Sequence, residues 1–111
     1  MTLEFSDYQA QASKTAIYDE ADVVTYPALG LVSEAGEVAG KVKKIMRDQK
    51  GQFMLPENRA AVGKEIGDVL WYIAALCSDL GLDMSDLAQD NLNKLNSRMA
   101  RGVLGGSGDN R

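Results

Sequence analysis

Histidine is absent from these 111 residues, and cysteine occurs once. Without histidine there is no Ser–His nucleophile, no histidine-containing zinc site and no Glu-x-x-His pair of the kind that binds di-iron. Cys77 lies alone in an apolar run, so it closes no internal disulfide and has no imidazole to activate it. That usage fits a reducing cytoplasm. No apolar run approaches the ~20 residues of a membrane span, and no signal-peptide pattern opens the chain, so no membrane role is expected. Positive charge is also in deficit, with 12 Lys and Arg against 16 Asp and Glu, which argues against coating a nucleic-acid polymer. Chemistry in this chain must run on carboxylates, lysine, arginine and a hard metal ion.

Proline is scarce as well, and both copies have a position to explain. Pro27 and Pro56 each suit the first turn of a helix, where the missing N–H costs nothing. After Pro27, the residues Leu31, Ala35, Val38, Val42 and Ile45 mark an apolar stripe down to about Asp48. After Pro56, a second stripe runs through Val62, Ile66, Val69, Ile73, Leu76 and Leu80 to a stop at Gly81. Ser6 and Gln9 have the spacing of a capping box, and Tyr8, Ala12 and Ala16 follow at helical intervals, which predicts a first helix over 6–20. Val23-Val24-Thr25 predicts an extended connection over 22–26. Ser85 is the expected cap of a fourth helix, whose apolar side carries Ala88, Leu92, Leu95 and Met99. The expected fold is therefore all-α, a four-helix bundle-like protomer in a single domain over 1–111, with a glycine-rich tail at 102–111. Its long helices carry more apolar positions than one face requires, which predicts a homodimer or homotetramer.

Two stretches organise the chemistry, Glu34-Ala-Gly-Glu37 and Glu65-Ile-Gly-Asp68. On a helix, carboxylates three residues apart share a face. Glu34 has only Gly30, Leu31, Glu37 and Val38 at its helical contact positions, and Glu65 only Ala61, Val62, Asp68 and Val69. Neither has a cation in reach, whereas Lys41 follows Glu37 by four and Lys64 precedes Asp68 by four. A carboxylate aimed at a core needs a partner or gives up its charge. Four converging from two helices make an oxygen-ligand set for Mg²⁺, with Mn²⁺ as a substitute. Gly36, Gly40, Gly63 and Gly67 each cost ~1 kcal/mol relative to alanine in a helix. Their placement beside the acids predicts close helix–helix approach there. Lys41 and Lys44 extend the face of Glu37 toward a bound anion, Trp71 and Tyr72 follow Asp68 as candidate base-stacking walls, and Tyr8 and Gln11 are weaker candidates for that pocket. On the fourth helix Asn91, Lys94 and Arg98 form one polar stripe.

These motifs together resemble the MazG-like all-α nucleoside triphosphate pyrophosphohydrolases. The resemblance runs through Leu29-Gly-Leu-Val-Ser-Glu-Ala-Gly-Glu-Val38, Lys43-Lys44, Arg47-Asp48, Lys64-Glu-Ile-Gly-Asp-Val-Leu-Trp-Tyr72 and Asn91-Leu-Asn-Lys-Leu-Asn-Ser-Arg98. It implies that Glu34, Glu37, Glu65 and Asp68 are metal ligands, with Glu34 a ligand or the general base. It also implies that Asn91, Lys94 and Arg98 face phosphates, and that helix one or the tail can act in a neighbouring protomer's site. The implied reaction is Mg²⁺-dependent hydrolysis of a (deoxy)nucleoside triphosphate to the monophosphate and pyrophosphate. An alarmone such as guanosine tetraphosphate, dUTP, or a non-catalytic metal-stabilised dimerisation module are the alternatives that the residues leave open.

Overall fold

The computed structural model describes residues 2–111, which form four α-helices and, among the described residues, no strand. The helices are α1 (Phe5–Ser13), α2 (Thr25–Asp48), α3 (Pro56–Asp79) and α4 (Met84–Ala100), with a short 3₁₀ turn at Glu20–Asp22. The all-α expectation is met. At 24 residues each, α2 and α3 are ~36 Å long and pack as a hairpin. α1 lies against α3, and α4 packs chiefly on α1.

The ends of the helices depart from expectation for local reasons. α1 stops at Ser13 rather than reaching 20, because hydroxyls divert its last turn: Ser13 Oγ donates to the Ala10 carbonyl and Thr15 Oγ1 to that of Ala12. Its start is capped by Glu4, whose N–H donates to the Asp7 carboxylate at 3.0 Å. Ser6 and Gln9, expected as its capping box, instead reach the start of α4. Ser6 Oγ donates to Asp83 and Ser85, while Gln9 donates to the Leu82 carbonyl and accepts from Met84 N–H. Asp83 rather than Ser85 caps α4, taking the N–H groups of Ser85 and Asp86 at 2.8 and 3.1 Å.

The expected extended connection is a tight reversal. Val24 has φ 69° and ψ −54°, and Thr25 N–H donates to the Val23 carbonyl, which is the strained form of γ-turn. A β-branched residue there costs about 1–3 kcal/mol unless its surroundings hold it. Asp79 at the end of α3 does so, accepting from Val24 N–H at 2.8 Å and Tyr18 Oη–H at 2.7 Å through one oxygen. α2 consequently begins at Thr25, two residues before Pro27.

Ala12, Ala74, Cys77 and Met84 form the buried core, with Tyr8, Leu70, Trp71 and Ile73 packed on it. That core is small for the chain. Leu92 and Met99 on α4 are 53% and 61% exposed, and Ile66 on α3 is 55% exposed, so the expected inward faces are only partly covered. The accessible surface is 7934 Å² where a folded monomer of this mass has ~6,000 Å². The radius of gyration is 17.0 Å against ~13 Å for a compact chain of this length.

The glycine expectation fails. A Cβ at Gly36, Gly40, Gly63 or Gly67 would meet nothing within 4 Å. Close approach occurs instead at Gly30, where a Cβ would fall inside the Tyr72 ring. The glycine that lets the two helices meet therefore lies one turn before Glu34, not between the paired acids.

Candidate metal centre

Crossing at Gly30 and Tyr72 brings the acidic faces of α2 and α3 together. Glu34, Glu65 and Asp68 each offer an oxygen, all within 4.8 Å of one another. Burial, then the facing charges of Asp68 and Glu65, push the Glu34 carboxyl above the usual carboxylate range. Glu34 and Glu65 are half-buried and Asp68 is exposed. Among the described residues, neither Lys41 nor Lys64 forms an ion pair with its helical acidic neighbour. The cluster is thus an uncompensated set of hard oxygen donors, which fits Mg²⁺ or Mn²⁺. Glu37 sits one turn along α2, exposed and outside the three-oxygen group.

Beside the acids lies a cavity of about 350 Å³ lined by Glu34, Asp68, Trp71 and Tyr72. Both aromatic rings named from sequence therefore border the acids. Trp71 is fixed by its indole N–H, which donates to Thr15 Oγ1 at 2.8 Å, and meets Tyr72 edge-on with centroids 5.0 Å apart. Tyr72 also lies 6.2 Å from Tyr26, and Tyr26 stacks on Tyr18 at 4.9 Å. A hydrogen bond with Tyr26, then burial, raises the Tyr72 pKa, while burial and the Asp79 bond push that of Tyr18 up to about 12. The four rings form an arc, pinned by Thr15 at one end and Asp79 at the other.

A second cavity of about 360 Å³ lies on that arc, lined by Tyr18, Asp19, Asp22, Tyr26 and Trp71 among others. Trp71 borders both cavities. Tyr18, Tyr26, Asp19 and Asp22 were not singled out from sequence. The turn at Val24 that brings them to Trp71 leaves no periodic signal. Of the weaker candidates, Tyr8 belongs to the core and is near enough to Asp68 for that charge to help raise its pKa after burial. Gln11 lines a different cavity, with Thr2, Leu3 and Asp7.

The cationic candidates do not converge on the acids. Lys41 is half-buried and Lys44 exposed, neither in an ion pair. Asn91 is exposed on α4. Arg98, expected on an open polar stripe, is 5% exposed because the glycine-rich tail folds back over it. Its Nη2 donates to the carbonyls of Gly108 and Asp109, at 3.5 and 2.9 Å, and its Nε is buried without a partner. The Asp109 carboxylate lies 3.6 Å from Lys94 and 3.5 Å from Arg98, and Lys94, followed by Arg98, lowers its pKa. Arg111 closes the fold on the Val103, Leu104 and Gly108 carbonyls. Leu95 and Met99, expected to face the core, are instead 39% and 61% exposed. With α4 resting mainly on the short α1, its far half meets the tail but little of the other helices.

Residues 26–102 match the family model described as the MazG nucleotide pyrophosphohydrolase domain. The chain is also 51% identical over 110 residues to the Gene 37 protein of Mycobacterium phage L5, covering 94% of this chain and 96% of that one. No solved structure matches. No helix among the described residues is long and apolar enough to cross a membrane.

Proposed function

Since the chain belongs to the MazG nucleotide pyrophosphohydrolase domain family, we propose that it hydrolyses (deoxy)nucleoside triphosphates to the monophosphate and pyrophosphate in an Mg²⁺-dependent reaction. The observation that carries this reading is the three-oxygen cluster of Glu34, Glu65 and Asp68 beside the Trp71–Tyr72 cavity. Glu65 and Asp68 are assigned as ligands, together with Glu37, which must turn in from its exposed place one turn along α2 to join them. A divalent cation bound there supplies charge neutralisation of the polyphosphate and an acidified water. Glu34, a member of the cluster that also lines the cavity next to both aromatics, is assigned as a further ligand or as the base that takes the proton of the water attacking the α-phosphorus. Trp71 and Tyr72 offer the aromatic surface beside the acids against which the nucleoside packs, and Lys41 and Lys44 lie along α2 for the outer phosphates.

Asn91, Lys94 and Arg98 are assigned to the phosphates as well, on one condition. An oxyanion reaches Arg98 only by displacing Asp109 and the tail carbonyls. The large exposed surface and the uncovered apolar side of α4 support assembly of two or four copies, and a second copy can then bring its α4 to this acidic face. The protein is read as acting in the cytoplasm on small nucleotides.

The test is pyrophosphate release from a nucleotide panel with Mg²⁺, repeated with excess chelator and with Asp68→Asn. Release that needs the metal and is lost in the variant supports the assignment. Release unchanged by both would place the chemistry elsewhere.

A further inference from the structure

We infer that the cavity on the far side of Trp71 is a base-reading site that selects a base with adjacent N–H donors, as in guanine, with Asp19 and Asp22 as its specificity-determining residues. This rests on the nucleotide reading above and names the substrate within it.

Trp71 is a shared wall: one cavity holds Glu34 and Asp68, and the other is bounded by Tyr18, Tyr26, Asp19 and Asp22. A nucleotide with its phosphates at the acids can therefore reach round the indole with its base. The aromatic wall is set in advance, because Trp71 is tied to Thr15, Tyr18 to Asp79, and the two tyrosines are stacked. Preorganised aromatic surface favours a flat heterocycle at little entropic cost.

The charged groups on that wall have one sign. Asp19 uses one oxygen to accept Ala21 N–H at 2.9 Å, leaving the other free, and the Asp22 carboxylate has no hydrogen bond or ion pair among the described residues. The Tyr18 hydroxyl gives its proton to Asp79, and Thr15 accepts the indole N–H and gives its own proton to Ala12. No lysine or arginine lines the cavity. The oxygens that Asp19 and Asp22 leave for a ligand are acceptors, since an ionised carboxylate accepts only. Guanine offers N1–H and the N2 amine side by side, which matches the two oxygens of a carboxylate. Uracil and thymine place carbonyls on both sides of their single N–H, so a carboxylate there meets two acceptors. Adenine and cytosine present one amine each and fall between.

Trp71 is the chain's single tryptophan, so its fluorescence reports a base stacking on it without interference. The experiment measures quenching by the α,β-imido analogues of GTP, ITP, ATP and UTP with Mg²⁺, together with kcat/KM for the four triphosphates. GTP should exceed ITP, which lacks the N2 amine, by about tenfold, with UTP weakest. Asp22→Asn and Asp19→Asn keep shape, and the amide oxygen introduced at position 19 can still accept Ala21 N–H. One or both should collapse the GTP-to-ITP ratio toward one and raise kcat/KM for UTP, because the amide NH2 can donate to a uracil carbonyl that the carboxylate repelled. A UTP preference, or a ranking indifferent to both substitutions, overturns the base assignment even where turnover is robust. The predicted binding order without any pyrophosphate release upholds the base site and instead overturns the hydrolase reading. Absence of quenching by every analogue sinks both.

Discussion

The α2–α3 hairpin and the α4–tail unit treat their charges in opposite ways. On the hairpin, Glu34, Glu65 and Asp68 face one another with no cation paired to them among the described residues, and burial together with those facing charges raises the Glu34 pKa. On α4, Lys94 and Arg98 are already answered by Asp109 and by tail carbonyls, all supplied by the same chain. The first region stores repulsion that a ligand relieves. The second stores a compensated arrangement that a ligand must displace. An acidic cluster like the first is ready for a cation as folded, whereas the cationic stripe requires rearrangement before it can serve an incoming phosphate.

Substitutions in the two regions should therefore differ in size and kind. The largest effect is expected at the acids. Glu65→Gln should lower pyrophosphate release at least about a hundredfold, since a neutral amide is a poor ligand for a hard cation. Its melting temperature without metal should hold or rise, because one repelling charge is gone. A variant of normal activity would remove Glu65 from the centre.

Next in size is the crossing that positions those acids. Gly30→Ala forces a methyl into the Tyr72 ring and should cost about 1–3 kcal/mol by thermal denaturation, with activity falling as well. An unshifted melt would mean that the helices are not in contact at this point.

Arg98→Ala comes third. It removes charged hydrogen bonds worth about 1.5–3 kcal/mol in a typical case, but their loss should free the tail more than unfold the helices. Limited proteolysis should then cut within 102–111 much faster than in the parent, with circular dichroism nearly unchanged. Equal cleavage rates would mean that Arg98 does not hold the tail.

The smallest effect belongs to Asp109. Its pKa is lowered when folded, so its contribution is present above the ordinary carboxylate pKa and is lost as pH falls through the lowered value. Tail protection in the same proteolysis assay, with an acid-active protease, should weaken below the usual carboxylate range in the parent. In Asp109→Asn it should not depend on pH there. The pair is exposed, so only a modest change is expected.

The parts legible in the sequence were those with a local period. Four helices follow from apolar stripes, and the placing of Glu34, Glu65 and Asp68 on facing sides of α2 and α3 follows from helical spacing, although Glu37 stays outside that group. What escaped was set by contacts between distant residues. Asp79 holding Val24 in a γ-turn lies 55 positions away, so the aromatic arc that the turn assembles has no sequence signature. The glycine pairs misled for a related reason: a helical glycine can mark close approach, but only the crossing point at Gly30 says where. Arg98, with Asn91 and Lys94 at i−7 and i−4, reads as part of a phosphate-facing polar stripe, and only the folding back of the tail buries it.

The acidic face of the hairpin is expected to bind a divalent cation on its own. Calorimetric titration of Mn²⁺ into the parent and into Asp68→Asn, with no nucleotide present, tests it most directly. Saturable uptake by the parent is expected, with its loss in the variant, whose helical content is unchanged. Equal uptake by both proteins, or none by the parent, would contradict it.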